Sequence, residues 1–311
     1  MKDKSQSLGQ GVYHLDTFYI QPGVASFYCV VDKGEIAIIE TGTAHSLPHL
    51  KQFMQDHSLS AEQVKYVMPT HVHLDHAGGA GVMMREFPNA TLIIHPRGAR
   101  HMIDPEKLVE ATKQVYGEET FVKLYGEIPA IDENRVIAAE HLSRYSLGQR
   151  EFIVVHTPGH AYHHYCVVDP ASKGIFSGDT FGLSYPNLIY KQKRIVLPTT
   201  TPIHFNPEAL HESIDLLMSF KPQQIFLTHF NVLPDPASVV DQYKNWVDKF
   251  VALTEQIKPS DDAAIPDLMD AMSKLIIAEF DLNPVLVRTQ LAMDIKLNSQ
   301  GLAYWYQHRA A

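Results

Sequence analysis

Residues 69–79 read PTHVHLDHAGG, which puts His71, His73, Asp75 and His76 within six consecutive positions, followed at once by Gly78 and Gly79. The preceding run, VKYVM (64–68), is short, apolar and β-branched, and predicts a strand. The following run, HAGGAGVMM (76–84), has the length and spacing of a helix opening. The cluster therefore falls on a strand-to-helix loop, at the carboxyl end of a strand, where α/β folds place ligands. His71 and His73 are two positions apart, so in extended backbone their imidazoles point the same way. Asp75 and His76 fall where the chain turns and can aim at a neighbouring point. The glycines are expected to let the backbone turn tightly beneath them. Imidazole and carboxylate are the ligands of zinc, iron and manganese.

Outward from this loop the first half of the chain alternates between two grammars. GVYHLDTFYI (11–20), ASFYCVV (25–31), EIAIIE (35–40) and TLIIH (91–95) read as strands, and SLPHLKQFMQDHS (46–58) as a helix. Residues 101–130 are more helical and more charged, as an insertion would be. A second strand series is expected from about Arg135: RVIAAE, REFIVVHTPG, HYCVVD and KGIFSGD. An irregular stretch to Phe205, a helix at 207–220 and a last strand, QQIFLTHF (223–230), follow. Two such series predict an α/β fold of two sheets face to face with helices outside. From about Pro234 the pattern is helical to the end. The domain reading is thus 1–233 for a catalytic domain, with its insertion at about 101–130, and 234–311 for a C-terminal helical extension.

Composition narrows the function classes. Hydrophobic residues make up 45% and charged residues 20% of the 311, as in a folded globular protein. No run is long and apolar enough for a membrane span, and the N-terminal stretch lacks a signal-like apolar core, so a cytoplasmic location is expected. The net charge of −9 makes a nucleic-acid partner unfavourable. The one dense basic run, KQKR (191–194), reads as a solvated loop. Cys29 and Cys166 lie in apolar strand runs and read as free core thiols. Histidine is the unusual component, with eighteen. Three more candidate ligands each follow an apolar run: His160 in VVHTPGHA, Asp179 in IFSGDTF and His229 in IFLTHF.

HVHLDH, TPGH, SGDT and LTHF, in that order over roughly residues 10–232, resemble the metallo-β-lactamase superfamily and its HxHxDH motif. The resemblance implies an αβ/βα four-layer sandwich with two divalent metal ions per chain in the cleft between the sheets, zinc first, with iron or manganese as alternatives. By carry-over, His71, His73 and His160 would hold one metal and Asp75, His76 and His229 the other, with Asp179 bridging both. A metal-bridging hydroxide would then hydrolyse a small-molecule ester, thioester, lactone or phosphoester, and Asp75 would orient it and carry its proton to the leaving group. One position departs from the family pattern. Glu40 stands where most members have an aspartate that supports the ligand loop, so that support is expected to be shifted or water-mediated.

Subfamily features are mostly missing. Only fifty positions separate Asp179 from His229, too few for the extra domain of the RNA-processing nucleases. The cysteine- and glycine-rich segment of glyoxalase II is absent. Gly182 stands where the homoserine-lactone lactonases carry a tyrosine, with Tyr185 the nearest one. The alternatives are a mononuclear iron dioxygenase acting on a persulfide and a non-catalytic diiron oxygen-sensing protein. His163 and His164, beside His160, are candidates for ligand support or substrate contact. Phe181–Phe205 and the insertion are expected to line the cleft. The apolar stripe of the tail must be covered by the catalytic domain or by a second chain, and a homodimer is expected, with the tail serving assembly or access and not chemistry.

Overall fold

The computed structural model describes residues 5–309, so residues 1–4 and 310–311, which the expected domain bounds include, lie outside the described residues. Two β-sheets form its centre. The first contains β1 (Gln6–Gly9), β2 (Val12–Asp16), β3 (Ser26–Asp32), β4 (Glu35–Ile39), β5 (Val64–Met68), β6 (Thr91–Ile94) and β7 (Val136–Ala138), in that spatial order. Strands β1 to β4 are antiparallel neighbours, and β4 to β7 run parallel. The second is built from β8 (Arg144–Leu147), β9 (Arg150–His156), β10 (Tyr165–Asp169), β11 (Gly174–Leu183), β14 (Gln224–His229) and β15 (Asn231–Pro234), in the order β15-β14-β11-β10-β9-β8. A small hairpin, β12 (Ile189–Tyr190) and β13 (Lys193–Arg194), stands apart.

Side-chain alternation decides which face each strand buries. In β3, Phe27 and Cys29 join the core on the outer face, while Tyr28 and Val30 point toward the second sheet. In β9, Phe152 and Val154 meet them from the other side, and Ile153 and Val155 face outward. Two buried tyrosines tie the sheets across this layer. The Tyr28 hydroxyl donates to the Leu227 carbonyl at 2.6 Å, and the Tyr165 hydroxyl to the Ile93 carbonyl at 2.8 Å. The Tyr28 hydroxyl also reaches the Asn231 carbonyl at 3.2 Å, while that of Tyr165 would otherwise be a buried polar group without a partner.

Helices cover both outer faces. On the first sheet lie α1 (Leu47–Asp56), α2 (Leu74–Ala77), α3 (Ala80–Glu86) and α4 (Pro96–Ile103). The expected insertion is α5 (Glu106–Tyr116) and α6 (Glu118–Tyr125), and Phe121 and Tyr125 of α6 pack on Leu74, inside the ligand loop. On the second sheet lie α7 (Pro207–Ser219), capped by the Asn206 side chain, and the tail helices α8 (Val240–Ile257), α9 (Ile265–Phe280), α10 (Pro284–Gln290) and α11 (Ala292–His308). One apolar cluster joins Val155, Phe181 and Leu227 of the sheet to Trp246, Met272, Val287 and Leu302 of the tail. The second sheet therefore packs against much of the tail's apolar stripe. Among the described residues no helix is long and apolar enough to cross a membrane.

Two expectations are corrected. RVIAAE does not open the second sheet; Val136–Ala138 pairs parallel with β6 and closes the edge of the first. The KQKR run is not simply a solvated loop, because it forms part of the hairpin. From there the partly buried Arg194 reaches the Val232 carbonyl at 2.9 Å and also the carbonyls of Ser184 and Phe230, bracing the chain just after His229 against the end of β11. Cys29 and Cys166 are free and buried, as expected.

Candidate metal centre

The ligand loop is built against the end of β4. Glu40, 1% exposed, gathers it with both carboxylate oxygens. Its Oε2 accepts from the Thr70 amide at 3.0 Å, and its Oε1 accepts from the hydroxyls of Thr70 at 2.6 Å and Thr228 at 2.9 Å and from His76 Nδ1 at 3.0 Å. The extra methylene thus leaves the support direct, neither shifted away nor water-mediated. Gly78 and Gly79 are not left-handed, with φ of −61° and −84°. They are needed for close approach: a Cβ on Gly78 would lie 2.3 Å from the Leu74 carbonyl oxygen, and one on Gly79 2.6 Å from that of Thr41. The expected tight turn is in fact a close seat on the 41–43 backbone.

Hydrogen bonds on the outer ring nitrogens assign the tautomers. His76 Nδ1 donates to Glu40, His160 Nδ1 to the Thr199 carbonyl at 3.1 Å, and His229 Nδ1 to the Val24 carbonyl at 2.9 Å. Thr70 Oγ1, whose proton goes to Glu40, accepts from His71 Nδ1 at 3.1 Å. The Nε2 lone pairs of all four therefore point inward, where His73 presents Nδ1. The inward atoms crowd together. His71 Nε2 lies 2.8 Å and His160 Nε2 3.2 Å from His73 Nδ1, and the Nε2 atoms of His76 and His229 are 3.3 Å apart.

Asp179 stands between these groups. Its Oδ2 is 3.3 Å from His160 Nε2, and its Oδ1 is 3.3 Å from His76 Nε2 and 3.5 Å from His229 Nε2. Oδ1 is buried and accepts no hydrogen bond. Asp75 Oδ2 lies 3.4 Å from His229 Nε2 and 3.6 Å from His76 Nε2. Bare lone pairs facing one another at these distances repel unless a cation lies among them. Four ligands at about 2.0–2.1 Å from zinc would stand about 3.3 Å apart, close to what is observed. Among the described residues three groups have the spacing of a metal site: His71, His73 and His160; His71, His76 and Asp179; and Asp75, His76 and His229.

Electrostatics divides the site in two. Burial opposes charge on His76, but Asp179, Asp75 and Glu40 together outweigh it and raise its pKa to about 10. His229 rises to about 9 for the same reasons, with Asp179 and Asp75 acting. His71 and His73 move the other way, well below their ordinary value, through burial and neighbouring imidazoles. One half therefore demands positive charge, and the other offers neutral imidazoles.

The structure brings all seven candidate ligands together, and the remaining candidates surround them. His164 accepts from the Asp179 amide at 3.1 Å through Nε2 and lies 2.8 Å from the Thr157 hydroxyl through Nδ1. Tyr185 makes no hydrogen bond to a ligand; its hydroxyl donates to Asp294 Oδ1 of α11 at 3.0 Å. Three contributors had no signal in the sequence. Thr199 holds His160 through its carbonyl, and its hydroxyl donates to the Asp179 carbonyl at 3.1 Å. Asn298 of α11 in turn grips that segment, accepting from the Thr200 amide at 2.6 Å and donating to the Pro198 carbonyl at 2.9 Å. Arg194 is the third.

Comparison with known proteins identifies the family. ST1585 of Sulfurisphaera tokodaii, described as containing a metallo-β-lactamase fold, is 25% identical over 213 residues, covering 67% of this chain and 73% of its own. The human acyl-coenzyme A thioesterase MBLAC2 is 24% identical over 188 residues, covering 56% and 64%. The solved structure of TTHA1429 from Thermus thermophilus, a metallo-β-lactamase family protein, superposes with a TM-score of 0.67 at 18% identity, covering 97% of this chain and 94% of that one, a likeness of fold alone. The family model described as metallo-β-lactamase superfamily matches residues 20–229, from just before β3 to the last candidate ligand, and the chain belongs to that superfamily.

Proposed function

We propose that the protein is a dinuclear metal-dependent hydrolase acting on a small acyl ester or thioester. The observation that carries this reading is the position of Asp179, whose two carboxylate oxygens face separate histidine groups, His160 on one side and His76 with His229 on the other. In this reading His71, His73 and His160 would hold one ion, Asp75, His76 and His229 would hold the other, and Asp179 would serve both. When bound, two such ions lower the pKa of water to about 7 and polarise an acyl oxygen.

The chain's own residues do the rest. Burial would raise the Asp75 carboxyl, but His76 and His229 outweigh it and hold it well below the usual carboxylate range. Asp75 is thus ionised, and in this reading its carboxylate would orient the nucleophile and carry its proton to the leaving group. Glu40 fixes the orientation of His76, Thr199 that of His160 and Val24 that of His229, so the donors are set before substrate arrives. The thioester part of the proposal draws on the name of the human relative.

Metal content per chain, followed by a panel of ester, thioester, lactone and phosphodiester substrates on the same sample, tests the reading. About two ions and turnover of an acyl substrate are expected. A single iron with oxygen uptake on a persulfide would replace it with the dioxygenase alternative.

A further inference from the structure

Beside the candidate metal centre runs a wall of basic side chains that the proposed chemistry does not use. His163 touches two of the candidate ligands, its ring 5.6 Å from that of His73 and 6.0 Å from that of His71. His204 follows at 5.4 Å from His163, Tyr162 at 4.8 Å from His204, and the Arg97 guanidinium 5.6 Å from the Tyr162 ring. Three ring contacts and a cation–π contact thus lead from the candidate ligands to a permanent cation. Sequence separation gives no hint of it, since α4, the β9–β10 loop and the segment before α7 each contribute.

We propose that Arg97, His101, His163 and His204 form a subsite for an anionic group of the substrate, a carboxylate or phosphate, with Tyr162 and Ile203 contacting the apolar part beside it. The inference rests on the hydrolase reading, and it narrows the substrate to an amphiphilic, negatively charged ester or thioester.

Four observations carry it. His163 is only 8% exposed, and its Nδ1 is buried without a hydrogen-bond partner, which leaves a polar atom for a ligand to satisfy. Arg97 makes no ion pair with a carboxylate among the described residues. Third, the His204 ring lies 5.4 Å from that of His163 and 4.8 Å from that of Tyr162, so the imidazoles follow one another along one wall as hydrogen-bonding groups that end at the Arg97 cation. In a chain of net charge −9 a guanidinium without a carboxylate partner beside the cleft is a local source of positive charge for an anion. Fourth, Tyr162 and Ile203, 44% and 55% exposed, put apolar surface next to these donors. Residues 163, 204 and 101 belong to none of the three groups with metal-site spacing, so a further metal does not account for them.

The test compares 4-nitrophenyl hydrogen glutarate with its neutral counterpart, 4-nitrophenyl valerate, on the metal-loaded wild type and Arg97→Gln. The ratio of kcat/KM for the anionic over the neutral ester is expected to fall about tenfold or more in Arg97→Gln, the size of one lost charge-assisted hydrogen bond. An unchanged ratio overturns the subsite. Calorimetric titration of glutarate into both metal-loaded proteins separates this inference from the hydrolase reading. If neither ester is turned over, glutarate binding to wild type that is lost in Arg97→Gln still supports the subsite. Binding that is equal in both proteins, or absent from wild type, overturns it.

Discussion

The two sides of the cleft hold their ligands by different means. On the side of the first sheet, His71, His73, Asp75 and His76 come from one loop, and one carboxylate, Glu40, fastens it at Thr70 and His76. On the side of the second sheet, His160, Asp179 and His229 come from three separate segments, and each has its own support: the Thr199 carbonyl for His160, the His164 imidazole for the Asp179 amide and the Val24 carbonyl for His229. The first arrangement is local: one carboxylate, which also holds Thr228, and the adjoining 41–43 backbone seat the whole loop. The second is distributed and reaches into the C-terminal helices. A lesion should therefore act abruptly on the first side and gradually on the second.

Asp179→Asn strikes where the two sides meet and is expected to have the largest effect. An amide bridges two cations poorly, so metal content by elemental analysis should fall from about two per chain toward one or none. Retention of both ions would sink the bridging role. Next comes Asp75→Asn, expected to lower turnover by about 100-fold while much of the metal stays. A rate within twofold of wild type would move proton transfer to another group. Glu40→Gln tests the carboxylate fastening: metal affinity should weaken by about 10- to 100-fold, the usual scale for a lost ligand-supporting partner. Asn298→Ala tests the distributed side. Leaving the Thr200 amide and Pro198 carbonyl without their partner should cost about 1–3 kcal/mol in urea unfolding, with metal loss smaller than in Glu40→Gln. The reverse order of metal loss would break the comparison.

The smallest effect concerns Asp294. Burial raises its carboxyl from 3.8 to about 6, with the Tyr185 hydroxyl pulling partly the other way. The folded state thus holds this proton more tightly than the unfolded chain does. The stability it contributes is fully present below about pH 4 and is lost as pH rises through about 6. Asp294→Asn should flatten that part of the stability–pH curve. An unaltered slope between pH 4 and 6 would assign the titration to other groups.

Legibility in the sequence followed the same division. The first-side ligands stood within six positions, and the other three were visible because each ends an apolar run. The sheets were visible because strands buried on two faces spell long apolar stretches. The edge placement of Val136–Ala138 was not, since three residues carry no periodicity and only their pairing with β6 assigns them to a sheet. Arg194 reads as charge in a loop until the hairpin folds it onto the carbonyls around His229. Asn298 lies about a hundred positions from the backbone it grips. Local pattern holds no record of such contacts.

Helix α11 also carries a short code of its own. Asp294, Asn298 and Gly301 are spaced four and three apart, so they share one helical face. Asp294 meets Tyr185 and Asn298 meets Thr200, while a Cβ on Gly301 would stand 1.5 Å from the Thr200 carbonyl oxygen. Inserting or deleting one residue between them would turn each about 100° away from its partner. Length changes before Asp294 or after Gly301 are free of that penalty. Although the family match ends at residue 229, descent with a working cleft should therefore preserve the interval D-x3-N-x2-G as a unit, inherited together with the loop it reads.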